Sequence, residues 1–207
     1  RSRLFLGAAA AVLLIAAGFA VQQFQQKRAN DRAGVYTAAH AEVPALLGFG
    51  KYSNRAYAEP EDAAAIRAVL DRLVAAGHDR VPALALRASF RLDHADAAGA
   101  AEDMGVVKRI LGTDYAAALA ERYEDLPETS TSAGDLVLDD LPEPEGALDR
   151  FLVGFHLMRT LRYVEAASWL EDPALENVRL ARELALTTTL VELSTLLREG
   201  DEDTLYG

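Results

Sequence analysis

The chain of 207 residues contains no cysteine. This absence excludes a disulfide framework, a thiolate zinc site and a cysteine nucleophile. It does not fix the cellular compartment, because a domain with a sufficient apolar core needs no disulfides on either side of a membrane.

Basic residues are scarce, with 21 Lys and Arg against 32 Asp and Glu and a formal net charge of −11. The distribution is uneven: the segment through Arg32 carries five basic residues and one acidic residue, so it is +4 and the remainder is −15. An acidic body repels nucleic-acid phosphates, and we therefore expect no nucleic-acid partner.

The motifs of common catalytic sites are also missing. The sequence has no His-Glu-x-x-His and no Gly-x-Ser-x-Gly, and residues 48–53 (GFGKYS) lack the spacing of a phosphate-binding loop. None of the four histidines has a second histidine four residues away, and we expect His156, inside the most apolar helix, to be a buried core residue with satisfied hydrogen bonds. We predict a protein that is not an enzyme, with no cofactor, no metal site and no evident small-molecule substrate.

What the chain does have is one long apolar run near its start, residues 4–21, with arginines before it and Lys27, Arg28 and Arg32 after it. Eighteen residues without a charge reach the lower limit for crossing about 30 Å of hydrocarbon at roughly 1.5 Å per residue. A secretory signal cut near 17–20 and a buried core helix are the alternatives. We predict an uncleaved membrane anchor facing lipid through its larger side chains: Leu4, Leu6, Val12, Leu13, Leu14, Ile15, Phe19 and Val21.

Small residues within the predicted anchor, Gly7 and Ala11, leave a face on which another helix can pack closely. We therefore expect contact there with other membrane-protein subunits as well as with lipid. Two basic residues before the span and three after it do not decide its orientation. A short N-terminal tail ahead of a long acidic domain favours a single-pass protein of the cell inner membrane with a periplasmic domain.

Helical spacing of apolar residues recurs along the remainder, and no segment alternates with the period of a strand, so we predict an all-α fold. The predicted regions are 1–28 (anchor with basic flanks), 29–125 (helical hairpins), 126–145 (an extended segment) and 146–207 (a hairpin and a C-terminal helix). Predicted helices cover 60–76, a stretch capped by Asp79 with Pro82 in its first turn, 96–111, 114–123, 147–161, 164–170 and 174–197.

The segment 126–145 is rich in Ser, Thr, Pro and acidic residues, and it is too long for an ordinary turn. We predict that it is extended, either as an ordered contact or as a mobile linker. Leu136 and Leu138 are its candidate contacts to a partner.

Residues 150–173 resemble a tetratricopeptide repeat, with small Gly154 in a first helix and Tyr163, Ala166 and Leu170 in a second. Small side chains let two antiparallel helices approach, and we expect Gly154 and Ala166 to face each other. A fainter copy at Ala85 and Ala97 lies 69 residues upstream, close to twice the repeat of about 34. Trp169 is either a docking aromatic or a filler between repeats.

The layout of one N-terminal span followed by such helices is similar to membrane-anchored bacterial tetratricopeptide proteins. The resemblance implies a helical-hairpin solenoid, with a generic helical bundle as the alternative, and a scaffold that holds partners. We expect an accessory subunit of a larger membrane complex, respiratory or photosynthetic. The alternative is a chaperone-like adaptor of the translocon or envelope that binds transient clients.

Overall fold

The computed structural model describes residues 21–28, 60–77, 79–182 and 184–186, and within these ranges it contains helices and no strand. The predicted all-α class is therefore confirmed for this part of the chain. The helices are α1 (Pro60–Ala76), α2 (Arg80–Asp93), α3 (Ala97–Leu111), α4 (Asp114–Glu124), α5 (Ala147–Arg159) and α6 (Tyr163–Leu170), with further helical residues at 21–28, 179–182 and 184–186 and 3-10 turns at Ala133–Asp135 and Pro173–Leu175.

No helix in the described ranges has the length and apolarity needed to cross a membrane. The anchor predicted at 4–21 lies outside those ranges except for Val21, and so do Gly7 and Ala11. The anchor remains a prediction.

Local capping explains where α3 begins and ends. The Asp96 carboxylate accepts a hydrogen bond from the Gly99 backbone N–H at 2.9 Å, which satisfies one of the unpaired donors of the first turn. Gly112, with φ of +66°, ends the helix in the left-handed conformation. The sequence predicts both ends of this helix correctly.

The turns that join α2 to α3 and α5 to α6 have the same backbone geometry. In the first, Asp96 N–H donates to Arg91 O at 2.8 Å and Ala95 N–H to Leu92 O at 2.9 Å. This pair of bonds defines a Schellman motif, whose central residue, here Ala95 with φ of +56°, is left-handed.

In the second turn, Arg162 N–H donates to Leu157 O at 2.9 Å and Leu161 N–H to Met158 O at 3.1 Å, and Leu161 has φ of +64°. Ala95 and Leu161 therefore correspond, and the hairpins are related by 66 residues, the same separation as the last residues of α2 and α5. The predicted spacing of 69 is wrong by three. Because both hairpins are rich in alanine, their small residues can be matched to each other in several alignments. The equivalent left-handed turns identify the alignment with a spacing of 66 residues.

The core is built around α2, which contacts α1, α3 and α5, while α5 also contacts α6. Ten residues of α2 are buried. At the ends of α2 and α5, one guanidinium nitrogen of Arg159 lies 2.6 Å from both carboxylate oxygens of Asp93. The two hairpins thus contact each other directly around one hydrophobic core.

The segment 126–145 contains no α-helix and lies on the core as an ordered contact. Its 3-10 turn, Ala133–Asp135, contacts α2 and α5. Leu136 is 6 % exposed, and Leu138 packs half-buried on the same core. Burial of these leucines in the domain itself explains why the chain follows the surface here.

The C-terminal helix predicted to begin at 174 starts later. The Asp172 carboxylate accepts from Ala174 N–H at 2.8 Å and caps the 3-10 turn Pro173–Leu175. The Asp79 carboxylate then accepts from the N–H groups of Arg179 and Leu180, at 2.9 and 3.3 Å, where the helical residues resume. Predicted residues 187–197 lie outside the described ranges.

Candidate interaction surface

Gly154 occupies the point where α5 comes closest to α6. A Cβ at this position would lie 2.8 Å from Leu170 Cγ and 3.0 Å from Trp169 Cβ, which is closer than real side chains pack. The three atoms nearest to such a Cβ belong to Leu170 and Trp169 at the end of α6, and the expectation that Gly154 faces Ala166 stays a prediction.

The other predicted packing residues lie in the same hairpin. Ala166 and Leu170 are buried, and Tyr163 is half-buried against the core. Trp169 is also half-buried, with its Cβ beside Gly154, so it fills space within the hairpin. Leu136 is buried, so its side chain is not the exposed partner contact that the sequence suggested.

Exposed aliphatic side chains instead lie at the turn between α5 and α6. Leu161 is 72 % exposed and Val164 is 67 % exposed. Leu161 lies in the turn itself, and Val164 lies three residues further on, in the first turn of α6. We call these two residues the aliphatic surface.

Val137, in the extended segment, is also exposed, at 61 %. Two residues further on, the Asp139 carbonyl accepts from Arg122 at 3.4 Å. The Asp139 charge also acts on Arg162, whose pKa is raised first by its hydrogen bond to Glu165 and further by the charges of Glu165 and Asp139. Asp139 of the extended segment and Arg162 of the α5–α6 turn are therefore close enough for their charges to interact.

Leu161 adopts a backbone conformation that an L-residue takes at a cost of about 1 kcal/mol, and for which glycine is the usual choice. Its side chain gains little burial in return. Leu161 is therefore an exposed apolar residue in a backbone conformation that its side chain does not favour.

His156 is a strongly perturbed titratable group outside the aliphatic surface. Its Nδ1 lies 2.7 Å from the Leu152 carbonyl oxygen and its Nε2 lies 2.9 Å from the Tyr123 hydroxyl. Because a carbonyl only accepts, Nδ1 carries the hydrogen, and Nε2 accepts from Tyr123. Burial lowers the pKa of His156 to about 4, so the ring is neutral at pH 7.

Burial also raises the pKa of Tyr123. The ring of His156 is only 1 % exposed, and both of its nitrogens are occupied by structural partners. The predicted role as a satisfied core histidine is confirmed. The pair holds α4 to α5 and leaves no ring nitrogen facing a substrate.

Buried carboxylates are likewise used to join helices. Asp103 of α3 receives two hydrogen bonds from Arg87 of α2, at 2.6 and 2.9 Å, and Arg87 also reaches Asp71 of α1 at 2.7 Å. The Asp103 hydrogen bond is the largest cause of the raised pKa of Arg87. One guanidinium thus ties three helices together.

Asp149 of α5 is 1 % exposed and accepts from the Thr113 hydroxyl at 2.9 Å and from the Glu145 N–H at 3.2 Å. It joins the start of α5 to the start of α4. Among the residues that the structure describes, no group of three or more His, Asp or Glu side chains could hold a metal ion.

Comparisons with family models, with curated proteins and with solved structures find no match to this chain. The candidate surface therefore rests on the geometry of the chain itself.

Sequence reasoning did not single out Leu161 or Val164 as contact residues. The turn between the two helices contains neither the glycine nor the asparagine that usually marks a left-handed residue, so no local signal in the sequence marks Leu161. The Arg87–Asp103 pair was also missed, because its partners are 16 residues apart and no local rule joins them.

Proposed function

We propose that this protein is a non-catalytic, membrane-anchored scaffold, an accessory subunit that packs on and stabilises a larger multi-subunit membrane complex of the respiratory or photosynthetic kind. It would be held in the inner membrane by residues 4–21 and would present a tetratricopeptide-like hairpin surface to its partner. The observation that carries the proposal is the aliphatic surface, and above all the exposed, left-handed Leu161.

Two further features support this function. The buried polar groups Asp103, Asp149 and His156 are engaged in bonds between helices, as expected of a domain whose interior serves stability. The two hairpins repeat at 66 residues, near twice the tetratricopeptide unit of about 34. Direct contact between α2 and α5 is a departure from a solenoid, in which each repeat contacts only its neighbours.

The test separates stability from partner binding with one substitution. Leu161→Gly removes the exposed side chain and relieves the strained backbone, so the free energy of unfolding should be unchanged or rise by up to about 1 kcal/mol. The amount of partner that remains bound to the full chain after purification in mild detergent should nevertheless fall several-fold. Urea denaturation and quantitative mass spectrometry provide the two readouts.

Ala95→Gly is the matched control, because Ala95 occupies the same position of the same turn in the other hairpin. It should change stability in the same direction and leave the partner bound. Equal retention by Leu161→Gly and wild type would contradict the role of the aliphatic surface. A heterogeneous set of substoichiometric clients would instead favour the chaperone-like adaptor.

A further inference from the structure

A groove of about 480 Å³ lies between the end of α6 and the helical residues 179–182 and 184–186. Its lining combines apolar and charged side chains: Leu170, Leu175, Ala185 and Leu186 with Glu171, Asp172, Glu176 and Arg182, together with Pro173. Three acids and one arginine give this acidic groove a formal charge of −2.

Two of these charged side chains form hydrogen bonds within the domain. Asp172 accepts from Arg150 at 2.5 Å, and Arg182 donates to the Glu176 backbone carbonyl at 2.8 Å. The carboxylates of Glu171 and Glu176 are exposed at the rim, beside the negative end of α6. Leu186, 58 % exposed, leaves apolar surface beside them.

The helical residues 21–28 have the opposite character. Val21 and Phe24, each 57 % exposed, lie three residues apart on one face of the helix. Lys27 and Arg28 follow in the next turn, with the Arg28 guanidinium 4.8 Å from the centre of the Phe24 ring. The segment is therefore cationic and apolar on adjoining surfaces.

We infer that residues 21–28 dock in the acidic groove of the same chain, with Phe24 against the exposed Leu186 and with Lys27 and Arg28 facing Glu171 and Glu176. The complementary charge extends beyond the contact, because the chain is +4 through Arg32 and −15 after it. Residues 29–59 number 31, which extended reach roughly 100 Å, more than the diameter of such a domain. Docking within one chain needs only weak affinity, since both halves share a high effective concentration.

This docking would hold the domain close to the C-terminal end of the predicted anchor. It goes beyond the scaffold function and does not depend on which complex is the partner. Partner retention is measured separately with Leu161→Gly, so either idea can fail while the other stands.

Because the chain has no native cysteine, a thiol-specific cross-linker reacts only with the cysteines that are introduced. Gln25→Cys and Asn177→Cys place thiols on exposed polar residues beside Phe24 and beside the groove, and a bifunctional maleimide reagent joins them if they meet. The full chain in mild detergent should give an intrachain link at least five-fold more often than the control pair Gln25→Cys and Thr131→Cys. Peptide mass spectrometry after proteolysis identifies the link.

Charge reversal tests the proposed contacts. Glu171→Lys with Glu176→Lys should reduce the link to the level of the control pair, whereas Asp125→Lys with Glu128→Lys, an equal change of net charge away from the groove, should leave it unchanged. Equal yields from the two cysteine pairs would overturn the inference. A link between two chains would also overturn it, because the segment would then occupy the groove of another copy.

Discussion

Gly154 shows how a single missing side chain sets the separation of two helices. In an open helix, glycine is less favourable than alanine by about 1 kcal/mol, so its presence inside α5 needs a reason. The reason is the approach of Leu170 and Trp169 to within 3.0 Å of where a Cβ would be. Gly105 in α3 has no such neighbour, since its nearest contact would be an Arg109 side-chain nitrogen at 3.8 Å.

These two glycines should therefore respond to substitution in opposite directions. Gly154→Leu should lower the free energy of unfolding by about 1–3 kcal/mol through overpacking. Gly105→Ala should raise it by up to about 1 kcal/mol through helix propensity. Urea denaturation measures both, and an unchanged midpoint for Gly154→Leu would show that α5 and α6 are not closely packed.

His156 connects one residue to the pH dependence of the whole domain. Its pKa is about 4 in the folded chain and 6.5 when unperturbed. The unfolded chain therefore binds the proton first as pH falls. The contribution of the neutral His156 ring to the free energy of unfolding is therefore complete above pH 6.5, and it is lost as pH falls from there to about 4.

We expect this loss to reach about 3 kcal/mol, from 1.36 kcal/mol per pKa unit. Urea denaturation between pH 4.5 and 7.5 should show the slope in wild type and a smaller slope in His156→Gln. The pKa of Asp93 is raised in the folded chain, so its contribution to the free energy of unfolding decreases as pH rises, opposite to that of His156. The His156→Gln variant retains Asp93, so the difference between the two slopes does not contain the Asp93 contribution. Identical slopes in the two proteins would contradict a neutral, buried His156.

At the scale of elements, Asp79 joins parts of the chain that are 100 residues apart. It sits at the start of α2, but its side chain makes no capping bond there. It accepts instead from the N–H groups of Arg179 and Leu180. The start of the last described helix thus depends on a residue that precedes α2.

Asp79→Ala should cost about 1 kcal/mol and increase hydrogen exchange at residues 179 and 180. Asp79→Asn should retain most of the protection, because asparagine caps equally well and tolerates the left-handed φ of +42°. Unaltered exchange at 179 and 180 in the alanine variant would show that the cap does not hold this helix.

The same helices show what sequence alone can predict. The bounds of α3 follow from Asp96 and Gly112, because both signals act within one turn. The cap at Asp79 was predicted for α2 but serves residues 179 and 180, since no local pattern reveals a contact across 100 residues. Leu161 was not recognised as a left-handed turn residue because the usual glycine is missing there, and the aliphatic surface was missed with it.

At the scale of the molecule, the two hairpins meet at equivalent positions. Asp93 and Arg159, each the last residue of the first helix of its hairpin, form an ion pair between α2 and α5. The hairpins thereby share one core, and the turn bearing Leu161 remains exposed at its edge. The proposed function uses this arrangement, in which one shared core leaves the aliphatic surface exposed.

The most direct test of this account is the stoichiometry of what remains bound to the full chain after extraction in mild detergent. Size-exclusion chromatography followed by quantitative mass spectrometry should show the protein in a large complex, in a fixed ratio to other membrane subunits. Elution alone as a monomer, with no protein in constant ratio to it, would contradict the scaffold function.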